Sequence, residues 1–116
     1  MQKLEKWRVK ELALVLKQLA VLLKNGDNCE WANVFFHFHL ETQIIINSKE
    51  FDLDQLKKLL INIKSCFSGI SSLMNLILRH ENSEEKTRLN QDLHQTRARL
   101  LKILTEMEIL TIEYIS

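Results

Sequence analysis

The chain has 116 residues, of which 46% are hydrophobic, two are glycine and none is proline, and its formal net charge is +1. This length and apolar content suffice for a single domain over residues 1–116 whose core needs no metal or disulfide. The near-neutral charge gives no overall signal for nucleic acid or an anionic membrane, and the scarcity of glycine excludes a glycine-rich phosphate-binding loop.

Charge is distributed unevenly along the chain. Residues 1–24 carry six basic and two acidic side chains, whereas residues 27–54 carry one basic and six acidic side chains. We therefore expect one face of the molecule to be acidic. Lys, Asn or His interrupts each apolar run before it reaches membrane-spanning length, so we expect no membrane partner. Two separate cysteines without a secretory leader favour a cytoplasmic protein.

The first predicted helix runs from about residue 2 to residue 24 and ends at Asn25 and Gly26, a pair typical of helix C-termini. Its main apolar stripe consists of Leu12, Val15, Leu16, Leu19, Leu22 and Leu23. A second stripe lies nearly opposite and recurs every seven residues: Trp7, Leu14 and Val21. An ordinary surface helix has only one such stripe.

The second predicted helix begins after Asp27, which we expect to cap it with Glu30 at the third position, and continues to about Ile46. One of its faces holds Trp31, Val34, Phe35, Phe38 and Ile45, and another holds Ala32, Phe36, Leu40 and Ile44. A helix that is apolar nearly all round either lies at the centre of a bundle or is covered in part by another chain. Central burial is the favoured interpretation, because small bundles usually surround one helix more than the others.

The third predicted helix begins with Asp52 as its cap, and Gln55 can return the hydrogen bond. Its apolar face consists of Leu53, Leu56, Leu60, Ile63 and Phe67, and we expect Gly69 to close it. A short irregular apolar segment follows near residues 69–80, with Ser71 as a cap. Because this segment is so apolar, we expect it to pack beneath the bundle; its apolar members are Ile70, Leu73, Met74, Leu76, Ile77 and Leu78.

The last predicted helix is capped by Asn82 or Ser83 and runs almost to the C-terminus. Its apolar positions keep the helical period: Leu89, Leu93, Leu100, Ile103, Leu104, Met107 and Tyr114. The complete pattern predicts an all-α protein, an up-and-down bundle of four main helices with the irregular segment inserted before the last one.

No group of residues specifies an enzyme, a cofactor or a metal site. His37 and Glu41 are neighbours on a helix, but His39 points elsewhere, so the three do not form a chelating set. Cys29 and Cys66 are isolated, which favours ordinary packed cysteines over zinc or redox chemistry. Glu106 and Glu108 fall on different helix faces, so they do not form an acid–base pair. We therefore expect a non-enzymatic protein that needs no cofactor.

Basic residues on the last helix give only a weak indication of nucleic-acid binding. They are interleaved with acidic residues and have no aromatic residue among them to stack on a base; the set is Arg88, Arg97, Arg99 and Lys102. A solvated, salt-bridged face is the favoured interpretation, and we expect no direct nucleic-acid partner.

Two patches resemble a group of small helical bacterial domains. These are Trp31-Ala32 early in the second helix and the segment IKSCFSGISSLMNL over residues 63–76. In that group a helix ends in a glycine-rich turn that is followed by small residues, serine and an Asn-Asp pair. Small proteins similar to these often look like immunity partners of polymorphic or contact-dependent bacterial toxins. The resemblance therefore implies an immunity function for this chain.

An immunity protein needs a rigid scaffold and a surface complementary to its toxin, which is commonly a basic nuclease. The acidic region over residues 27–54 is the predicted surface. The predicted toxin-binding residues are Glu30, Asn33, His37, Glu41, Glu50, Asp52 and Asp54, with Phe36 and Trp7 as aromatic anchors. The alternative is a self-associating structural or regulatory protein, in which the extra apolar stripes of the first two helices form a symmetric homodimer. A third possibility, a small-ligand regulator or an enzyme, requires a pocket lined by His37, Cys66 or His80.

Overall fold

The computed structural model describes residues 6–68 and 73–115, with side chains up to Thr111. Within these ranges the chain forms four α-helices and no strand: α1 (Lys6–Asn25), α2 (Cys29–Asn47), α3 (Leu53–Ser65) and α4 (Ser83–Ile115). Helix α1 packs against α2 and α4, and α3 packs against the same two helices. The predicted all-α bundle is confirmed. Helix α4 has 33 residues and spans the long axis of the molecule, which measures 49 Å.

Helix α1 ends one residue later than it would if Gly26 were the left-handed residue that closes it. The N–H of Asn28 donates to the Leu23 carbonyl (2.9 Å) and the N–H of Asp27 donates to the Lys24 carbonyl (3.1 Å). This pair of bonds is the Schellman arrangement, which needs one residue in the left-handed region. That residue is Asp27, with φ of 62°, so Gly26 serves a different purpose.

Gly26 allows the irregular segment to approach the turn. A Cβ atom at Gly26 would lie 2.7–2.8 Å from three side-chain atoms of Leu78, closer than carbon atoms can pack. The cap predicted for α2 is wrong, because the side chain of Asn28, and not that of Asp27, accepts the N–H of Trp31 (3.1 Å). Asp27 is already used as the left-handed residue of the preceding turn.

Helix α2 is not buried on all sides, so the favoured interpretation of its apolar pattern is wrong. Phe35 and Phe38 are buried, but Leu40 and Ile44 are 59% and 60% exposed. The helix buries one face against α1 and α3 and presents the other to solvent. Helix α1 is covered over a wider arc than α2, and its buried residues are Val9, Leu12, Ala13, Val15, Leu16, Leu19, Ala20 and Leu23.

Helix α3 starts as predicted and ends earlier than predicted. The carboxylate of Asp52 accepts the N–H of Gln55 (3.0 Å), which confirms the N-cap. The helix closes at Ser65, and Cys66 follows as its C-cap. The predicted roles of Gly69 and Ser71 lie outside the described residues.

The segment between α3 and α4 is only partly buried. It contains a short 3-10 turn, Leu73–Asn75, and a stretch without regular secondary structure that follows it. Leu73 and Leu78 are buried as expected, whereas Met74 and Ile77 are 46% and 69% exposed. The expectation that every apolar side chain of this segment packs beneath the bundle is therefore wrong.

Two polar side chains of α4 hold this segment in place. Asn90 accepts the N–H of Leu78 (2.7 Å) and donates to the carbonyls of Leu78 (3.0 Å) and Lys86 (2.8 Å). Arg97 donates from one guanidinium nitrogen to the carbonyls of Leu73, Met74 and Leu76 at 2.8–3.3 Å. Partial burial lowers the pKa of Arg97 from its usual value.

Helix α4 begins at the predicted cap and supplies the predicted core. The side chain of Asn82 accepts the N–H groups of Glu84 (2.9 Å) and Glu85 (3.1 Å). The expected apolar residues up to Met107 are buried: Leu89, Leu93, Leu100, Ile103, Leu104 and Met107. The side chain of Tyr114 lies outside the described part of the chain.

Candidate functional site: the outer face of α1 and α2

The most unusual surface of the molecule lies on α1 and α2. Each helix presents a row of exposed residues with alternating spacings of three and four. The α1 row is Trp7, Lys10, Leu14, Lys17, Val21 and Lys24, and the α2 row is Glu30, Asn33, His37, Leu40, Ile44 and Asn47. We call these two rows together the α1–α2 face. Five of its twelve members are large apolar residues that are 42–60% exposed: Trp7, Leu14, Val21, Leu40 and Ile44.

Both rows lie on the same side of the helix pair. The ring of His39 contacts the carbonyl of Ala13 (Nδ1 to O, 2.9 Å), which marks where the helices meet. Leu14 follows Ala13, and Leu40 follows His39. One residue corresponds to a rotation of about 100° about the helix axis, so each row lies about 100° from the contact, in the same sense of rotation along its own helix. Because the two helices run antiparallel, equal turns bring the rows out on the same side.

The predicted toxin-binding residues fall into two groups. Glu30, Asn33 and His37 belong to the α2 row and Trp7 to the α1 row, while half-buried Phe36 borders the α2 row. The second group lies in the connection from α2 to α3 and in the first turn of α3: Glu50, Asp52 and Asp54, all exposed. We call this second group the acidic end.

The acidic side chains are therefore not gathered at one point. Asn47 at the end of α2 lies 17 positions after Glu30, which corresponds to about 25 Å of helix. Glu41 lies between the two groups and pairs with His37, with 3.4 Å between Oε1 and Nε2. Among the described residues, neither Glu50 nor Asp54 forms an ion pair.

His37 and His39 point in different directions, as a helical backbone requires. His37 is exposed beside Glu41, and His39 is turned toward α1. Over residues 6–68 and 73–111 no three side chains of His, Cys, Asp or Glu are grouped so that they could hold a metal ion.

The two cysteines are unpaired and differ in environment. Cys29 is exposed at the start of α2, and Cys66 is partly buried after α3. The thiol of Cys66 lies 3.5 Å from the carbonyl of Asn62, and burial raises its pKa. A raised pKa keeps this thiol protonated near neutral pH and therefore a poor nucleophile.

The charged residues of α4 connect the helices of the bundle. Glu106 pairs with Arg8 of α1 (3.0 Å), and Glu108 pairs with Lys64 of α3 (3.1 Å), so the two glutamates act separately. Arg88 pairs with Glu85 on α4 itself. Arg99 donates to the side-chain oxygen of Gln18 (3.2 Å). Sequence reasoning placed Arg97 on this solvated face, but its guanidinium instead binds the 3-10 turn.

Two open grooves adjoin the α1–α2 face. One, of about 520 Å³, lies between α1 and α4 and is lined in part by Leu14, Val21 and Asp92. The other, of about 480 Å³, contains His80 together with Lys24, Asp27 and other charged or polar residues. The second groove is thus lined by His80, one of the three residues named for a small-ligand site, and neither groove contains His37 or Cys66.

Sequence reasoning missed two parts of this surface. It favoured central burial of Leu40 and Ile44 over covering by another chain, and it did not single out Lys10, Lys17 and Lys24. The available signal was the seven-residue spacing of these lysines, each three residues after a member of the second apolar stripe of α1.

No helix in the described ranges combines the length and the apolar character that crossing a membrane requires. Comparisons with protein-family models, with curated proteins and with solved structures find no match to this chain.

Proposed function

We propose that this chain is a non-catalytic immunity protein that binds and neutralises a basic bacterial toxin domain, such as a nuclease, in the cytoplasm. The observation that carries the proposal is the acidic end. Its three carboxylates, those of Glu50, Asp52 and Asp54, lie within five residues and are all exposed. The resemblance of Trp31-Ala32 and residues 63–76 to small helical bacterial domains of uncharacterised function, which are similar to immunity proteins, supports the same function.

The carboxylates of the acidic end are available to a partner at little structural cost. Asp52 uses one oxygen to cap α3, whereas Glu50 and Asp54 have no basic side chain in ion-pair contact within the described chain. Exposed carboxylates that are not held in ion pairs attract a basic protein and accelerate its association, and here they do so with Lys49, Lys57 and Lys58 flanking them in the sequence. Binding by surface complementarity would inhibit a toxin without any catalytic group on this chain.

The experiment measures binding to the product of the gene immediately upstream, purified as a catalytically inactive variant. The test variant is Glu50→Gln/Asp54→Asn. Its matched control is Glu81→Gln/Glu84→Gln, which also removes two negative charges. Glu81 lies in the connection before α4, and Glu84 lies in the first turn of α4. Asp52 is left unchanged because its loss would remove the helix cap.

We expect the test variant to associate at least about threefold more slowly at low salt, with a weaker salt dependence, because steering charges act mainly on the association rate. The control variant should associate like the wild type. Absence of binding by the wild-type protein would refute the immunity function. Equal rates for the test and control variants would refute the assignment of the acidic end.

A further inference from the structure

We propose that a second copy of this chain packs on the α1–α2 face, so that α1 of each copy lies antiparallel on α2 of the other. The resulting dimer is symmetric, with its two-fold axis parallel to the helices. This arrangement does not depend on the immunity function, and it leaves the acidic end of both copies exposed.

The apolar residues of the face need a covering that the bundle itself does not supply. Leu14 is 50% exposed and Val21 is 42% exposed, on a helix whose other side is fully packed. Leu40 and Ile44 are about 60% exposed on the neighbouring helix. Exposed apolar residues that stand together on one face, with polar residues around them, mark protein–protein contact sites.

Charge favours α1 on α2 over α1 on α1. Helix α1 has five basic residues and one acidic residue, Glu11, whereas α2 has two acidic residues and neither lysine nor arginine. Packing α1 on α1 would bring together the row of Lys10, Lys17 and Lys24 from each copy, at the cost of like-charge repulsion. A two-fold axis parallel to the helices instead places each row of three lysines on the α2 row of the other copy, which contains Glu30 and neither lysine nor arginine, and does so twice.

The register of the two helices within one copy also suits this packing. The contact between Ala13 and His39 places Leu14 and Leu40 at nearly the same height along the bundle. Because rotation about an axis parallel to the helices leaves heights unchanged, Leu14 of one copy meets Leu40 of the second.

The same register sets the remaining contacts. It brings Lys24 near Glu30 of the second copy, and Lys10 beside Ile44, where its aliphatic stem can cover the apolar side chain. The other three facing pairs are Val21 with Asn33, Lys17 with His37, and Trp7 with Asn47, so the pair of Leu14 and Leu40 is the layer in which two apolar side chains meet.

The contact area that the α1–α2 face offers is sufficient for a reversible dimer. Two helices of about 30 Å length and about 10 Å width present about 600 Å² per copy, or about 1,200 Å² for both, which is the lower end of specific interfaces. We therefore expect dissociation in the micromolar range rather than a permanent dimer.

The first experiment is disulfide trapping in a chain whose own cysteines are replaced, Cys29→Ser and Cys66→Ala. Adding Leu14→Cys together with Leu40→Cys should give a covalent dimer on oxidation, because disulfides need Cβ atoms about 4 Å apart. Leu14→Cys alone or Leu40→Cys alone should give no covalent dimer. In the proposed packing position 14 of one copy faces position 40 of the other, and neither position faces its equivalent. Trapping by Leu14→Cys alone, or failure of the pair, would overturn the proposed packing.

The second experiment is sedimentation velocity across concentration. We expect the wild-type chain of 13.7 kDa to form dimers as its concentration rises to roughly 100 µM. Leu40→Glu should raise the dissociation constant at least about tenfold. The control is Ile61→Glu, on an exposed α3 site (66%) outside the face, which should leave the constant unchanged.

Thermal unfolding of both variants verifies that they remain folded, since both sites are more than half exposed. A wild-type chain that stays monomeric throughout, or equal dissociation constants for the two variants, would refute the dimer. Because the toxin-binding assay uses other residues and another readout, failure of one proposal is distinguishable from failure of the other.

Discussion

The close contact between Gly26 and Leu78 predicts a large effect from adding one methyl group. In Gly26→Ala the new Cβ would lie 2.7 Å from Cδ2 of Leu78 and 2.8 Å from its Cβ and Cγ. Carbon atoms pack best at about 3.5–4.0 Å, so the new Cβ and the side chain of Leu78 would have to move apart by nearly 1 Å. Rotating the leucine side chain does not remove the clash with its Cβ, which follows the backbone.

The backbone of Leu78 has little freedom to retreat. Asn90 holds its N–H at 2.7 Å and its carbonyl at 3.0 Å, and the leucine side chain is 1% exposed. Overpacking at such a site typically costs about 1–3 kcal/mol. For a domain of this size that loss corresponds to a fall in Tm of about 4–12 °C. Urea unfolding followed by circular dichroism measures the free energy directly.

A double-mutant cycle with Leu78→Gly separates steric contact from backbone preference. Leu78→Gly removes all three clashing atoms, so Gly26→Ala should cost less than half as much in that background. The control is Asp27→Gly, which relieves the positive φ of 62° and should leave stability unchanged or raise it by up to about 1 kcal/mol. A cost for Gly26→Ala below about 0.5 kcal/mol, or one that is equal in both backgrounds, would show that close packing is not the reason for this glycine.

Three further outcomes are expected. Asn90→Ala should lower the free energy of unfolding by about 2 kcal/mol, because it leaves the backbone N–H and carbonyl of Leu78 without their side-chain partner. The control is Gln91→Ala, at an exposed position of the same helix, which should change this free energy by less than about 0.5 kcal/mol. Urea unfolding measures both. Arg97→Met should increase amide exchange and proteolytic cleavage in the segment before α4, since three backbone carbonyls lose their donor; unchanged protection would contradict this role. Cys29 should be alkylated faster than Cys66 at any pH near neutrality, because burial raises the pKa of the second thiol; mass spectrometry of partly alkylated protein gives both rates.

Those parts of the fold that depend on residues close to one another along the chain were predictable from the sequence. The cap at Asp52 and the choice of Asn82 or Ser83 as the cap of α4 follow from side-chain chemistry within three residues; the structure confirms the first and shows that Asn82 is the second. The cap of α2 was assigned to Asp27 instead of Asn28, because two adjacent residues have suitable side chains. Which of them caps depends on how α1 ends, and that ending also has to accommodate the approach of Leu78.

The candidate surface was predictable only in part. The seven-residue repeat of Trp7, Leu14 and Val21 identified a second apolar stripe, and the structure shows it exposed. In α2, by contrast, the apolar pattern gave no means of separating Leu40 from buried Phe38, since both belong to a helix that is apolar nearly all round. The decision depends on which neighbours surround the helix, and residue spacing does not contain that information.

The sequence by itself determined the helical class, the approximate helix boundaries and the contrast between a basic first helix and an acidic second one, because these follow from composition and from the helical period. Tertiary structure decided which apolar faces are covered. It also decided that Gly26 serves close packing and that Arg97 binds a distant turn, because both depend on contacts between residues more than 20 positions apart. The surface available to a partner is what remains after those contacts are made, so it could be located only in the folded molecule.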